Sequence, residues 1–110
     1  VRWYGRLRRS SEIAFVRRRG RQVSSSCLVA YAAPADVPGS IVAVTVAKTV
    51  GGAVVRNRVR RRIRGALDAL PAPAAGERLL FVAKPAAAQA SYERLAGEIE
   101  RALARLVRPG

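Results

Sequence analysis

The stretch AVVRNRVRRRIRGAL, residues 53–67, sets six arginines into the nine positions from Arg56 to Arg64, on a frame of valine and isoleucine with helical spacing. At about 100° per residue, Val55, Val59, Ile63, Ala66 and Leu70 share one arc of about 80°, and Asn57, Arg58, Arg60, Arg61, Arg62 and Arg64 fill most of the remaining circle. The spacing predicts a helix over residues 53 to 69 with one stripe packed on a sheet and a cationic surface left in water. Such a helix is costly to build. Like charges three and four apart repel, and no acid lies between Arg56 and Arg64 to relieve them. Arg56 and Arg58 crowd the first turn and Asp68 lies near the end, against the helix dipole, at about 0.3–1 kcal/mol per misplaced charge. Solvated helix faces ordinarily mix both signs. This face does not, and with Gly51 and Gly52 at the positive end of the helix it forms a site for anions.

The rest of the chain points the same way. Its 110 residues make one domain, 1–110, in which residues 1–6 and 108–110 read as flexible ends. Half of the residues are apolar, enough for a core, yet 21 basic and 7 acidic side chains leave a net charge of +14. That excess opposes compaction until an anionic partner neutralises it, and it points to nucleic acid or an anionic surface. All but two of the basic residues are Arg, whose planar fork suits phosphate, although a GC-rich genome would raise the Arg content as well. The chain has no His, and Cys27 is its single cysteine. A thiol–imidazole pair, a zinc site and an internal disulfide are excluded. No apolar run reaches the length of a membrane span and no secretory signal is visible, so a cytoplasmic protein without a membrane partner is expected.

The elements are short. SSEIAFVRRRG reads as a helix over residues 11 to 19, capped by Ser10 or Ser11, with Glu12 in its first turn, Arg17 to Arg19 in its last and Gly20 beyond it. RQVS, residues 27–33, residues 41–48 and residues 78–84 read as strands. Ser91 caps a final helix to about residue 107, with Tyr92, Leu95, Ala96, Ile99, Leu103 and Leu106 as its apolar stripe. The order is αβββαβα, an α+β domain with a four-stranded sheet and packed helices. Tyr31 stands in an otherwise aliphatic strand. Its spacing fits a core tyrosine, whereas on an open sheet face its ring would stack on an unpaired base.

KTVGGAVVRNRVRRRIRGAL closely resembles the signature of the bacterial ribonuclease P protein family, whose Arg-Asn-Arg core is matched by Arg56, Asn57 and Arg58, with Arg60, Arg61 and Arg64 at the following basic positions. Three further segments are similar in register. RLRRSSEIAFVRRRG carries Leu7, Ser10, Val16 and Gly20 of the opening motif, LVAYA matches the strand with an aromatic, and VAKPAAAQASYERL resembles the stretch leading into the last helix. The resemblance implies a left-handed βαβ crossover through the central helix, against the usual hand. It implies a protein subunit that assists endonucleolytic removal of the 5′ leader from precursor tRNA, the RNA subunit cutting with Mg2+ and the protein supplying no catalytic residue and no metal site. Its partners would be the RNA subunit and precursor tRNA, with no obligate protein partner.

Carried over position by position, the resemblance implies that Lys48, Arg56, Asn57, Arg58, Arg60, Arg61, Arg62 and Arg64 bind the catalytic RNA. It further implies that Ile13, Arg17, Tyr31, Thr45, Asn57, Arg60 and Arg64 line a leader cleft between the first helix, the central helix and the sheet. The chain departs from the family at several positions: Ile13 stands where the family has a stacking Phe, and Phe15 two positions on is expected to point elsewhere. Arg17 replaces a second aromatic, Thr49 a common Lys and Gly52 a common Asn. A ribosomal or nucleoid accessory protein that binds RNA nonspecifically would explain the charge equally well but not the joint register of four segments. A stand-alone nuclease lacks the His or acidic cluster it would need.

Overall fold

A computed structural model describes residues 2–36 and 38–107. In chain order the elements are β1 (Tyr4–Arg6), α1 (Ser10–Arg19), β2 (Arg21–Ser24), β3 (Leu28–Pro34), β4 (Ser40–Thr45), α2 (Ala53–Asp68), β5 (Glu77–Ala83), a short 3₁₀ helix (Pro85–Gln89) and α3 (Tyr92–Leu106). The α+β class and the order from α1 onward agree with the sequence reading, but the sheet has five strands rather than four, in the order β1-β4-β5-β3-β2. β4 and β5 are parallel neighbours joined through α2, with Val42 beside Leu79 and Val44 beside Phe81, and β3 runs antiparallel on the other side of β5.

The added strand lies where the sequence predicts a flexible lead. β1 pairs in parallel with β4, Tyr4 beside Ser40. Two aromatics hold it. Trp3 Nε1 donates to the Leu67 carbonyl at 3.0 Å, and the Tyr4 hydroxyl donates to Asp68 at 2.7 Å, both at the end of α2. Residues 108–110, expected to be flexible, lie outside the described residues.

Alternation along the strands divides the core into two. On one face Leu28, Ala30, Ala32, Val42, Leu79 and Phe81 meet Val59, Ile63, Ala66 and Leu67 of α2 and Leu95, Ile99, Ala102, Leu103 and Leu106 of α3. On the other, a smaller cluster of Leu7, Val16, Tyr31, Ala33, Ala43 and Leu80 lies under α1. The central helix thus buries a 3.6-period stripe, and Val55 and Leu70 at its margins are only half-buried. Tyr92, expected in the stripe of α3, lies outside it, exposed at 37%.

Gly20 ends α1 because the chain turns there against the sheet: a Cβ would lie 2.4 Å from the Val16 carbonyl oxygen and 2.9 Å from that of Ala32. The cap at the other end differs from expectation. Arg9 is the N-cap, no side chain caps the helix, and Ser10 and Ser11 are exposed.

Glu77 and Glu98 are both buried, and the more enclosed of the two is Glu98 of α3, at 4% exposure. It ties α3 to the β2–β3 turn, accepting hydrogen bonds from the Ser25 hydroxyl, from Cys27 N at 2.9 Å and from Arg94 Nε at 3.1 Å. Burial alone would raise its pKa. The hydrogen bonds to the ionised form outweigh that and hold it at about 2.

Candidate nucleic-acid interface

α2 begins abruptly. Tight turns with Val50 N donating to the Ala47 carbonyl and Gly51 N to the Lys48 carbonyl bring the chain off β4. Gly51 then passes so close to the helix that a Cβ would meet Val55 Cγ1 at 2.8 Å. Gly52 is the N-cap, no side chain caps the helix and its first turn holds no acid. The first backbone N–H groups of α2 therefore keep their positive end open to an anion.

Helical geometry sorts the basic side chains into three rows. Asn57 and Arg61 point outward and are exposed. Arg58 and Arg62 lie on the flank toward α3, where Arg58 Nη2 donates to the Ala88 carbonyl at 3.0 Å and Arg62 Nη1 to the Ala90 carbonyl at 2.7 Å. Arg56, Arg60 and Arg64 form the opposite flank, four residues apart and half-buried, and Arg60 Nη1 donates to Asn57 Oδ1 at 3.2 Å. Arg56 Nε and Arg58 Nε are enclosed and make no hydrogen bond.

Acids go elsewhere. Asp68 pairs with Arg2, Glu77 with Arg21, Glu12 with Arg78 and Glu98 with Arg94. Among the described residues, no salt bridge uses an arginine of α2. The two α2 guanidiniums that bond to protein backbone take neutral carbonyls, which orient the fork and leave its charge intact. Lys48 is exposed in the turn before the helix. The eight positions assigned to catalytic RNA thus occupy one helix and its leading turn.

The seven positions assigned to the leader are not brought together in the same way. Ile13 and Arg17 share one side of α1, half-buried and exposed respectively, and Thr45 is half-buried at the end of β4 on the sheet face that α1 covers. Asn57, Arg60 and Arg64 belong to α2, which packs on the opposite face. Tyr31 does not line an open cleft. At 8% exposure it is part of the α1-side core, in one cluster with Val16 and Leu80, because β3 turns it inward with Val29 and Ala33. The bare spacing reading of a core tyrosine is the one the structure upholds.

Two further features escaped the sequence reading. Phe15 is 39% exposed, and the Arg78 guanidinium of β5 lies over its ring, 4.9 Å from the centroid, while also pairing with Glu12 at 3.6 Å. The spacing of α1 shows Phe15 leaving the Ile13 side but cannot show a partner on a strand more than sixty residues away. Tyr92 is the second, placed beside Arg58, Arg61 and Arg62.

Among the described residues no group of three or more His, Cys, Asp or Glu side chains could hold a metal ion. No helix among the described residues is long and apolar enough to cross a membrane.

The family described as Ribonuclease P matches residues 4–107. The ribonuclease P protein component of Acidothermus cellulolyticus is 47% identical over 104 residues, covering 92% of this chain and 87% of that protein. That of Roseiflexus castenholzii is 41% identical over 102 residues, covering 91% and 84%. The fold is similar to that of the ribonuclease P protein of Staphylococcus aureus, with a TM-score of 0.80 at 16% identity over 96% of this chain and 95% of the other. It is also similar to the ribonuclease P protein of Thermotoga maritima, with a TM-score of 0.75 at 14% identity over 87% and 92%.

Proposed function

From the premise that this chain belongs to the ribonuclease P family, as the protein component of that endoribonuclease, we propose that α2 is its contact with the catalytic RNA. The observation that carries this reading is the bare charge of that helix: its arginines meet no acid, among the described residues, in a protein that pairs four of its seven acids with other arginines. Phosphates supply the missing counter-charge. Arg56, Arg60 and Arg64 present one row of donors, Asn57 and Arg61 a second, and the open N-terminus of α2 with Lys48 a third group.

In this reading the RNA subunit cuts the precursor tRNA with Mg2+, and the protein adds binding energy and screens the repulsion between two polyanions. The 5′ leader runs over the α1 side, past Ile13, Arg17 and Thr45, toward the flank of Arg60 and Arg64. Thr45 ends β4 on the α1 side, and the turns of residues 47–51 lead from it to α2. Tyr31 supports α1 from beneath and does not stack on a base. Arg17 holds a phosphate in the cytoplasmic enzyme where an aromatic would hold a base. Nonspecific RNA binding by an accessory protein is not favoured, since it leaves the family match over nearly the whole chain unexplained.

Reconstitution tests this. The protein added to its cognate RNA subunit should restore precursor tRNA cleavage at low Mg2+ concentration, and alone it should cut nothing. Sustained cleavage by RNA-free protein, or failure to stimulate the RNA subunit, refutes the reading.

A further inference from the structure

α3 begins with an aromatic that neither the core nor the cap uses. Ser91 supplies the cap, its hydroxyl accepting from Arg94 N at 3.1 Å, and the buried side of the helix starts at Leu95. Tyr92, between them, is 37% exposed. Its ring lies against α2 at Gly65, where an added Cβ would come within 3.6 Å of Tyr92 Cε1.

Tyr92, Arg58, Arg61 and Arg62 line an open cleft of about 370 Å³. Two of the three guanidiniums are held in place by the Ala88 and Ala90 carbonyls, neutral acceptors at the approach to α3. Arg58 Nε is enclosed without a partner. Two fixed guanidiniums and the exposed Arg61 thus stand beside one aromatic face, and no acid is paired with any of the three among the described residues.

We propose that Tyr92 with Arg58, Arg61 and Arg62 forms a nucleotide subsite, in which an unpaired base of the catalytic RNA stacks on the Tyr92 ring and the adjoining phosphate takes the guanidiniums. This rests on α2 being the RNA-binding helix and extends it across the α2–α3 seam. A lone basic row would read backbone only. An aromatic face beside it adds an anchor for one exposed base, and stacking tolerates any base.

The test is equilibrium binding of the full chain to the ribonuclease P RNA subunit across a salt series, for Tyr92→Ala, Tyr92→Phe, Tyr92→Leu and Arg61→Ala. Tyr92→Ala and Tyr92→Leu should weaken binding about 5- to 100-fold with the salt slope unchanged, since a stacked base is lost and no charge is removed. Tyr92→Phe should keep the parent affinity. Arg61→Ala should lower the slope magnitude by roughly 0.7–0.9. Thermal melts identify any variant that is simply unfolded, and the Leu and Phe pair then decides alone, because Leu keeps the apolar bulk. Parental affinity in Tyr92→Leu while Arg61→Ala still weakens binding overturns the subsite and leaves the arginine helix standing. Equal losses in Tyr92→Phe and Tyr92→Leu also overturn it, because the hydroxyl and not the ring would be responsible. Parental binding by every variant, Arg61→Ala included, counts against the reading of α2 itself.

Discussion

α1 and α2 are built from the same basic residue and use it in opposite ways. α1 places Glu12 in its first turn and Arg17, Arg18 and Arg19 in its last, so its charges follow the helix dipole. α2 has no acid in its first turn, no side-chain cap, and arginines from Arg56 onward. Under α1 lies the smaller core cluster, which includes Tyr31, while α2 shares the larger one with α3. The lesson of the difference is that arginine content alone does not mark an RNA surface. The mark is arginine placed with no acid to neutralise it, on a helix anchored well enough to bear the cost.

That contrast can be broken first on the α1 side. Tyr31→Ala removes a large buried side chain and should cost about 3–5 kcal/mol of stability, measured by denaturant unfolding. If the folded fraction is held equal, precursor tRNA and leaderless mature tRNA should lose affinity alike. A selective loss on the precursor at parental stability would return Tyr31 to the cleft.

A smaller effect is expected at the clamp that seats α3. Glu98→Gln should cost about 1–3 kcal/mol, because the Ser25 and Cys27 donors and Arg94 lose an ionised acceptor. The carboxyl is held at about 2 in the folded protein against an ordinary 4.5, so its contribution is complete above 4.5 and is lost as pH falls toward 2. Unfolding measured across that range should show a steeper fall for the parent than for Glu98→Gln.

The smallest effect belongs to the edge strand. Burial of Tyr4, with its hydrogen bond to Asp68, raises its pKa to about 12 from 10.0. Asp68→Asn should move the Tyr4 titration, followed by ultraviolet absorbance, back toward 10.0 while costing no more than about 1 kcal/mol, as the pair with Arg2 is exposed. An unmoved titration would mean that burial alone, and not the contact with Asp68, raises the Tyr4 value.

What could be read in the sequence was what has a local cause. The stripe of Val59, Ile63 and Ala66 and the strand at Leu28–Pro34 follow from periodicity, and Ser91 capping α3 follows from hydroxyl chemistry. The arginine helix stood out because it violates dipole and charge rules that α1 obeys. β1 was not legible, since three residues carry no period, although the paired Trp3 and Tyr4 in a basic lead were a signal that something there is packed. The Phe15–Arg78 contact, the burial of Glu98 and the cleft at Tyr92 depend on which elements the fold brings together, and no local pattern encodes them. Helical spacing placed the basic residues of α2 outside the core stripe, and strand spacing fits Tyr31 as the core residue it is, where the resemblance implied a cleft position.

The central claim is that the arginines of α2, and not arginine in general, meet the RNA. The most direct measurement is the salt dependence of binding to the catalytic RNA for two charge-matched variants, one with Arg56, Arg60 and Arg61 changed to Ala and one with Arg17, Arg18 and Arg19 changed to Ala. The account predicts that the α2 variant loses affinity and that its slope magnitude falls by roughly 2–3, at 0.7–0.9 for each phosphate contact removed, while the α1 variant keeps a slope close to the parent's. Equal slopes for the two variants, or a larger change on α1, would contradict it.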